Sequence, residues 1–164
     1  MRNNLFLIVL IFSSSLHGQV DSLMMDRIPS WVRHVVFESA LMENYNLDTS
    51  RNPFYLEADF NDDGLMDIAF FVKSKLEGKT GVLIVNKGKN VGYILGAGKD
   101  IGIGADVFWC NIWFIYREKY IYNFKDKKKK FAIETPGLEL VKDEKTSVVI
   151  YWDKKRYKTH IKNL

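Results

Sequence analysis

From residue 54 onward the chain is written in short aromatic and β-branched runs, about ten residues apart, separated by glycine-, asparagine- or lysine-rich turns. Phe54-Tyr55-Leu56-Glu57-Ala58-Asp59-Phe60 alternates apolar and polar side chains, the period of a strand with one face in a core. Similar runs follow at 67–73, 82–85, 91–95, 107–116, 119–124, 131–134, 147–152 and 156–161. Strands this short with such brief turns predict a mainly β (α+β) fold: an antiparallel sheet, a sandwich or a partial barrel. Upstream, Pro29 opens a segment to about Asn44 in which Ile28, Trp31, Val32, Val35 and Met42 share one face at helical spacing. One amphipathic helix covering a sheet is expected there, with His34 at its surface or boundary.

The first residues have a different logic. Arg2 precedes the uninterrupted apolar run Leu5 to Phe12, followed by Ser13, Ser14, Ser15 and Gly18. A basic start, a short apolar stretch and small residues are the layout of a secretory signal peptide. Eight apolar residues are too few for a bilayer, which needs about 20. The expectation is export, periplasmic or secreted, with a signal peptide over 1–18 cleaved after Ser15 or Gly18. A single β-rich domain over 19–164 would remain, with no transmembrane span. Cys110 is the only cysteine, so no intramolecular disulfide can form. Its aromatic surroundings predict a buried, inert thiol.

Charge is divided along the chain. Residues 21–67 carry a net −7 and residues 117–164 a net +7. Lys127-Lys128-Lys129-Lys130 lies between two strand-like runs, which predicts a solvated hairpin tip and no nucleic-acid partner.

The segment richest in chemistry is Asp59-Phe60-Asn61-Asp62-Asp63-Gly64-Leu65-Met66-Asp67. Asp59, Asn61 and Asp63 fill positions 1, 3 and 5 of the pattern D-x-[DN]-x-[DN]-G, and Gly64 fills the sharp-turn position. Leu65 would offer its backbone carbonyl. Phe70 replaces the bidentate Glu of an EF-hand, leaving Asp67 to supply the last carboxylate, directly or through water. Three carboxylates, an amide oxygen and a carbonyl suit Ca2+, a hard cation taking six to eight oxygens. The loop also crowds four negative charges into nine residues, whose repulsion a cation would relieve. An ordinary Asp/Asn/Gly turn is the alternative.

The stretch Asp59 to Ala69 resembles the D-F-[ND]-G-D-G-x-x-D-[IL]-A core of FG-GAP and VCBS-type repeats, which bind calcium in a strand–loop–strand hairpin. The resemblance implies the ligands Asp59, Asn61, Asp63, Leu65 (carbonyl) and Asp67, with Asp62 standing where those repeats carry Gly. It occurs once, whereas a propeller needs several blades. More broadly, the calcium hairpin, Leu95 to Gly98 and the closing Tyr151 to Lys158 hairpin resemble small exported bacterial proteins.

Enzyme signatures fail on inspection. Gly96 to Gly104 is no P-loop, since Asp100 follows Lys99 and Tyr93 stands at the upstream glycine, and its third glycine comes one residue late for a dinucleotide fingerprint. Beyond the signal only His34 and His160 remain, and no H-E-x-x-H or G-x-S-x-G occurs. The expectation is a non-catalytic calcium-binding domain, monomeric or weakly oligomeric, that binds a macromolecule or glycan. The alternatives are an envelope or glycan hydrolase, or a small inhibitor or immunity protein acting through its basic C-terminal half. Trp109, Trp113 and Trp152 are expected in the core rather than on a binding face.

Overall fold

The computed structural model describes residues 26–102, 104–123, 126–144 and 146–163. The expected signal peptide, 1–18, lies outside the described residues. Two antiparallel sheets stack face to face. The first contains β1 (Tyr45–Leu47), β2 (Tyr55–Ala58), β3 (Asp67–Ser74), β4 (Thr80–Asn86) and β5 (Val91–Gly96). Both β1 and β2 pair with β3, the first opposite its end and the second opposite its start, while β4 and then β5 continue the sheet on the other side. The second sheet takes β6 (Ile112–Tyr116), β9 (Gly137–Asp143), β10 (Thr146–Trp152) and β11 (Tyr157–Asn163) in the order β11-β10-β9-β6. β7 (Tyr120–Asn123) and β8 (Asp126–Ala132) form a separate two-stranded ribbon. The expected mainly β fold is therefore present as an open two-sheet stack, not closed into a barrel. No helix among the described residues is long and apolar enough to cross a membrane.

Strand alternation explains the layering. On β3, Ala69 and Phe71 face the second sheet with Val82, Ile84, Trp113, Leu138, Leu140 and Ile150. Ile68, Phe70 and Val72 face the other way, onto Ile28, Val32, Val35 and Val36. β3 is thus buried on both faces, and its near-continuous apolar sequence follows from that position. Phe71 meets Trp113 edge-to-face at 4.7 Å, and the Arg51 guanidinium lies 4.7 Å above the Phe71 ring. A third cluster, Tyr116, Ile121, Ile133, Val149 and Tyr151, holds the β7–β8 ribbon to the outer face of the second sheet.

Four expectations need correction. The single helix from Pro29 to Asn44 is instead α1 (Ser30–Arg33), a π-helical turn at His34–Glu38 and a 3-10 turn at Ala40–Glu43. Ser39 is extended between the last two (ψ 149°), and its hydroxyl bonds back to the Val35 carbonyl. Val35-Val36-Phe37 is a poor helical sequence, and the wider π turn lets both valines point inward. The tetralysine is not a tip: it runs within β8, where Tyr122 faces Lys130 across the ribbon. Among the described residues β8 pairs with β7 alone. The aromatic run 107–116 becomes a strand only from Ile112, because Val107 to Cys110 closes a turn through the Cys110 N–H to the Val107 carbonyl at 3.0 Å. Finally, β1 and the central β9 were not among the expected strands.

His34 is exposed and hydrogen-bonded to Glu38 at 2.5 Å. Cys110 is buried, and burial pushes its thiol up to about 11, as an inert side chain requires. Trp113 is buried with its indole N–H donating to the Pro53 carbonyl at 3.0 Å, and Trp109 packs against the same core.

Candidate metal centre

The acidic segment joins β2 to β3 at one end of the first sheet. Its short polar side chains fold it locally. The Asp59 carboxylate accepts the Asp63 N–H at 3.1 Å with Oδ1 and the Gly64 N–H at 2.8 Å with Oδ2. Asn61 Oδ1 also accepts from the Asp63 N–H (3.1 Å), and Asp63 Oδ1 accepts from the Leu65 N–H (2.9 Å). Asn61 Nδ2 donates to Asp63 Oδ2 at 3.0 Å. Asp and Asn favour such turns because their side chains reach backbone donors two residues on. Gly64 has φ 81° and Asp62 φ 62°. Glycine adopts this left-handed conformation freely and Asp tolerates it, so Asp62 can stand where the resembled repeats carry Gly.

Asp67 is set apart by burial. It begins β3, has no exposed surface, and its two oxygens accept from separate parts of the chain. Oδ2 takes the Phe60 N–H and Oδ1 the Lys87 N–H, each at 3.0 Å. One carboxylate thereby ties the acidic loop to the turn between β4 and β5. Burial raises its pKa to about 6; the two N–H groups oppose the shift, and the negative charges of Asp63 and Asp59 add to it. The register that pairs Ile68 with Val85 sets Asn86 beside Asp67. Asn86 is fully buried; its Oδ1 accepts from the Tyr157 hydroxyl at 2.7 Å, while its Nδ2 has no partner among the described residues. Burial, with Asp67 and Asp63 nearby, holds the Tyr157 hydroxyl firmly protonated.

The structure thus gathers Asp59, Asn61 and Asp63 around one turn and places Asp67 within electrostatic reach of both Asp59 and Asp63. Leu65 contributes its N–H to Asp63 and turns its side chain outward. Among the described residues no three His, Cys, Asp or Glu side chains form a ready-made cation cluster. The loop carboxylates point at N–H donors rather than at one another.

The donor set nevertheless fits a hard cation. Every side-chain ligand is an oxygen, and an oxygen accepting one N–H keeps a second lone pair. Among the described residues Asp59, Asp62, Asp63 and Asp67 form no ion pair. Lys87 gives Asp67 its backbone N–H and lays its ammonium 5.6 Å over the Trp31 ring. Gly88 leaves room: a Cβ there would fall 2.5 Å from Asp63 Oδ2.

Sequence reasoning missed Lys87, Gly88, Asn86 and Tyr157, which lie about 20 to 90 residues away and reach the loop only through the sheets. The Lys87-Gly88-Lys89-Asn90 turn was legible as a turn, with nothing local to show what it faced. In comparisons with known proteins, no family model, no curated protein and no solved structure matches this chain.

Proposed function

We propose that this chain is an exported, non-catalytic domain whose 59–67 loop holds a structural calcium ion and which binds a macromolecule or glycan. The observation that carries the metal reading is Asp67: a fully buried carboxylate with no cationic partner among the described residues, beside two further unpaired carboxylates. Buried charge is costly unless it is paired or coordinates a metal. Asp59, Asn61, Asp63, the Leu65 carbonyl and Asp67 would hold the ion, and its charge would offset their repulsion. Its role is structural, since Asp67 links the loop to the β4–β5 turn and so fixes the register of two central strands. The single FG-GAP/VCBS-like motif supports this reading, and the Arg2 to Gly18 pattern supports export to a compartment where calcium near millimolar fills a weak site.

Calorimetric titration of the chelator-stripped protein with Ca2+, followed by melting with and without the ion, tests the metal. A one-site isotherm with a raised Tm is expected. A flat titration with unchanged melting would reduce the loop to an acidic turn.

A further inference from the structure

Beside the acidic loop lies an open cleft of about 450 Å3, walled by Asn61 and Asp62 on one side and by Phe131 to Thr135 and Tyr151 to Lys154 on the others. Its volume falls within the range of small-ligand sites, about 300–1,000 Å3. Three features give it chemistry. Thr135 is buried, and its hydroxyl has no hydrogen-bond partner among the described residues. An unpaired buried hydroxyl is unfavourable, and a ligand hydroxyl that shifts the cleft wall enough to reach it would satisfy it. Trp152 is half-buried against Tyr157 and Tyr93, at 4.8 and 5.9 Å, and its indole N–H has no acceptor among the described residues. Phe131 leaves 39% of its surface open, its ring fixed between Tyr151 at 5.1 Å and a stacked His160 at 5.5 Å.

The charges narrow the ligand. Asp62, Glu134 and Asp153 line the cleft against the single ammonium of Lys154. That ammonium is held by Glu134 at 2.8 Å, and Asp153 is held by Lys158 at 2.6 Å. An anionic ligand finds the one lysine of the cleft already paired, and a cationic one finds Glu134 and Asp153 paired and Asp62 within electrostatic reach of Lys154. What remains is an aromatic face with a free donor (indole N–H), a donor-acceptor (Thr135 hydroxyl) and an acceptor (Asp62 carboxylate). A pyranose ring presents that complement: apolar C–H faces and a rim of neutral hydroxyls.

We propose that this cleft binds a neutral sugar unit of an oligosaccharide. The proposal deepens the glycan-binding part of the proposed function and does not require the metal, although Asn61 and Asp62 belong to both features.

The test uses the full chain and a panel of neutral disaccharides (maltose, cellobiose, lactose and N,N′-diacetylchitobiose), read by tryptophan fluorescence and saturation-transfer NMR in calcium and in chelator. At least one member is expected to bind. Thr135→Val and Trp152→Phe should each weaken that binding about three- to ten-fold, the worth of one neutral hydrogen bond. Thr135→Val should also leave the Tm unchanged or raise it, because it removes an unpaired hydroxyl, and a purely structural Thr135 would not separate the two readouts. Binding in both buffers supports the cleft whatever the fate of the metal. Binding in calcium alone supports both. Binding to no panel member, or equal binding by the two variants, overturns the cleft, and a calcium-raised Tm in the same samples would leave the metal reading standing.

Discussion

Asp67 gives the calcium-free protein an unusual response to mild acid. Burial raises its pKa from the ordinary 3.8 to about 6. Between those values the folded state holds a proton that the unfolded state has released, so stability falls as pH rises through the window. A shift of roughly two units corresponds to ~3 kcal/mol of penalty, complete above about pH 7. Going down from pH 7.5 to 4.5 recovers about 2 kcal/mol of it, because the unfolded carboxylate is still partly ionised at the lower pH. A domain of roughly 140 residues has an unfolding entropy near 0.3 kcal/mol/K, so the Tm in chelator should rise by ~7 °C on that acidification. His160 acts in the opposite sense: burial lowers its pKa, so its contribution is present above the unfolded value and is lost as pH falls below it. The difference between wild type and Asp67→Asn, melted in parallel, cancels His160 and isolates Asp67. The variant is expected to melt lower at both pH values, since its amide leaves the Phe60 or Lys87 N–H without an acceptor, but to lack the acid-induced gain. In about 5 mM Ca2+ the wild-type slope should reverse, because the ion needs the ionised carboxylate. A wild-type-minus-variant difference that stays flat from pH 4.5 to 7.5 in chelator would refute the reasoning, because Asp67 would then pay no cost for burial.

Other perturbations follow from named contacts. Asp63→Ala removes an exposed carboxylate whose partners are the Leu65 N–H and the Asn61 amide, so it should lower the Tm in calcium by several degrees and by much less in chelator; equal losses in the two buffers would contradict a metal role. Gly88→Ala places a Cβ 2.5 Å from Asp63 Oδ2 and should weaken calcium in calorimetry without adding or removing a charge. Phe71→Ala deletes a fully buried ring between Trp113 and Arg51 and should cost about 3–5 kcal/mol in a urea melt. Lys162→Met leaves the buried Glu139 without the ammonium now 2.7 Å away and should cost about 3–5 kcal/mol, most of it recovered in a double variant that also carries Glu139→Leu.

The strands were legible where their sequence alternates with period two or runs continuously apolar. Period-two alternation in 54–60 and the β-branched runs at 67–73 and 82–85 reflect local physics, and they became β2, β3 and β4 within a residue or three. The acidic turn was legible for the same reason: Asp59, Asn61 and Asp63 hydrogen-bond residues within five positions, and Gly64 supplies a conformation that few other residues adopt. The helix was misjudged because periodicity records which side chains turn inward and not whether the backbone between them keeps one hydrogen-bond pattern; Val35, Val36 and Ser39 broke it. Gly137-Leu138-Glu139-Leu140 concealed a central strand behind a glutamate whose partner, Lys162, lies 23 residues on.

By itself, then, the sequence determined a β-rich chain with one acidic turn, since both depend on side chains within a few residues of each other. The tertiary structure decided that Asp67 is buried, that Lys87 and Phe60 share its two oxygens, and that Tyr157 and Asn86 lie beside it. It also carried Thr135 and Trp152 to the cleft beside Asp62. A carboxylate takes its cost, and a cleft its chemistry, from groups that only sheet stacking brings within reach.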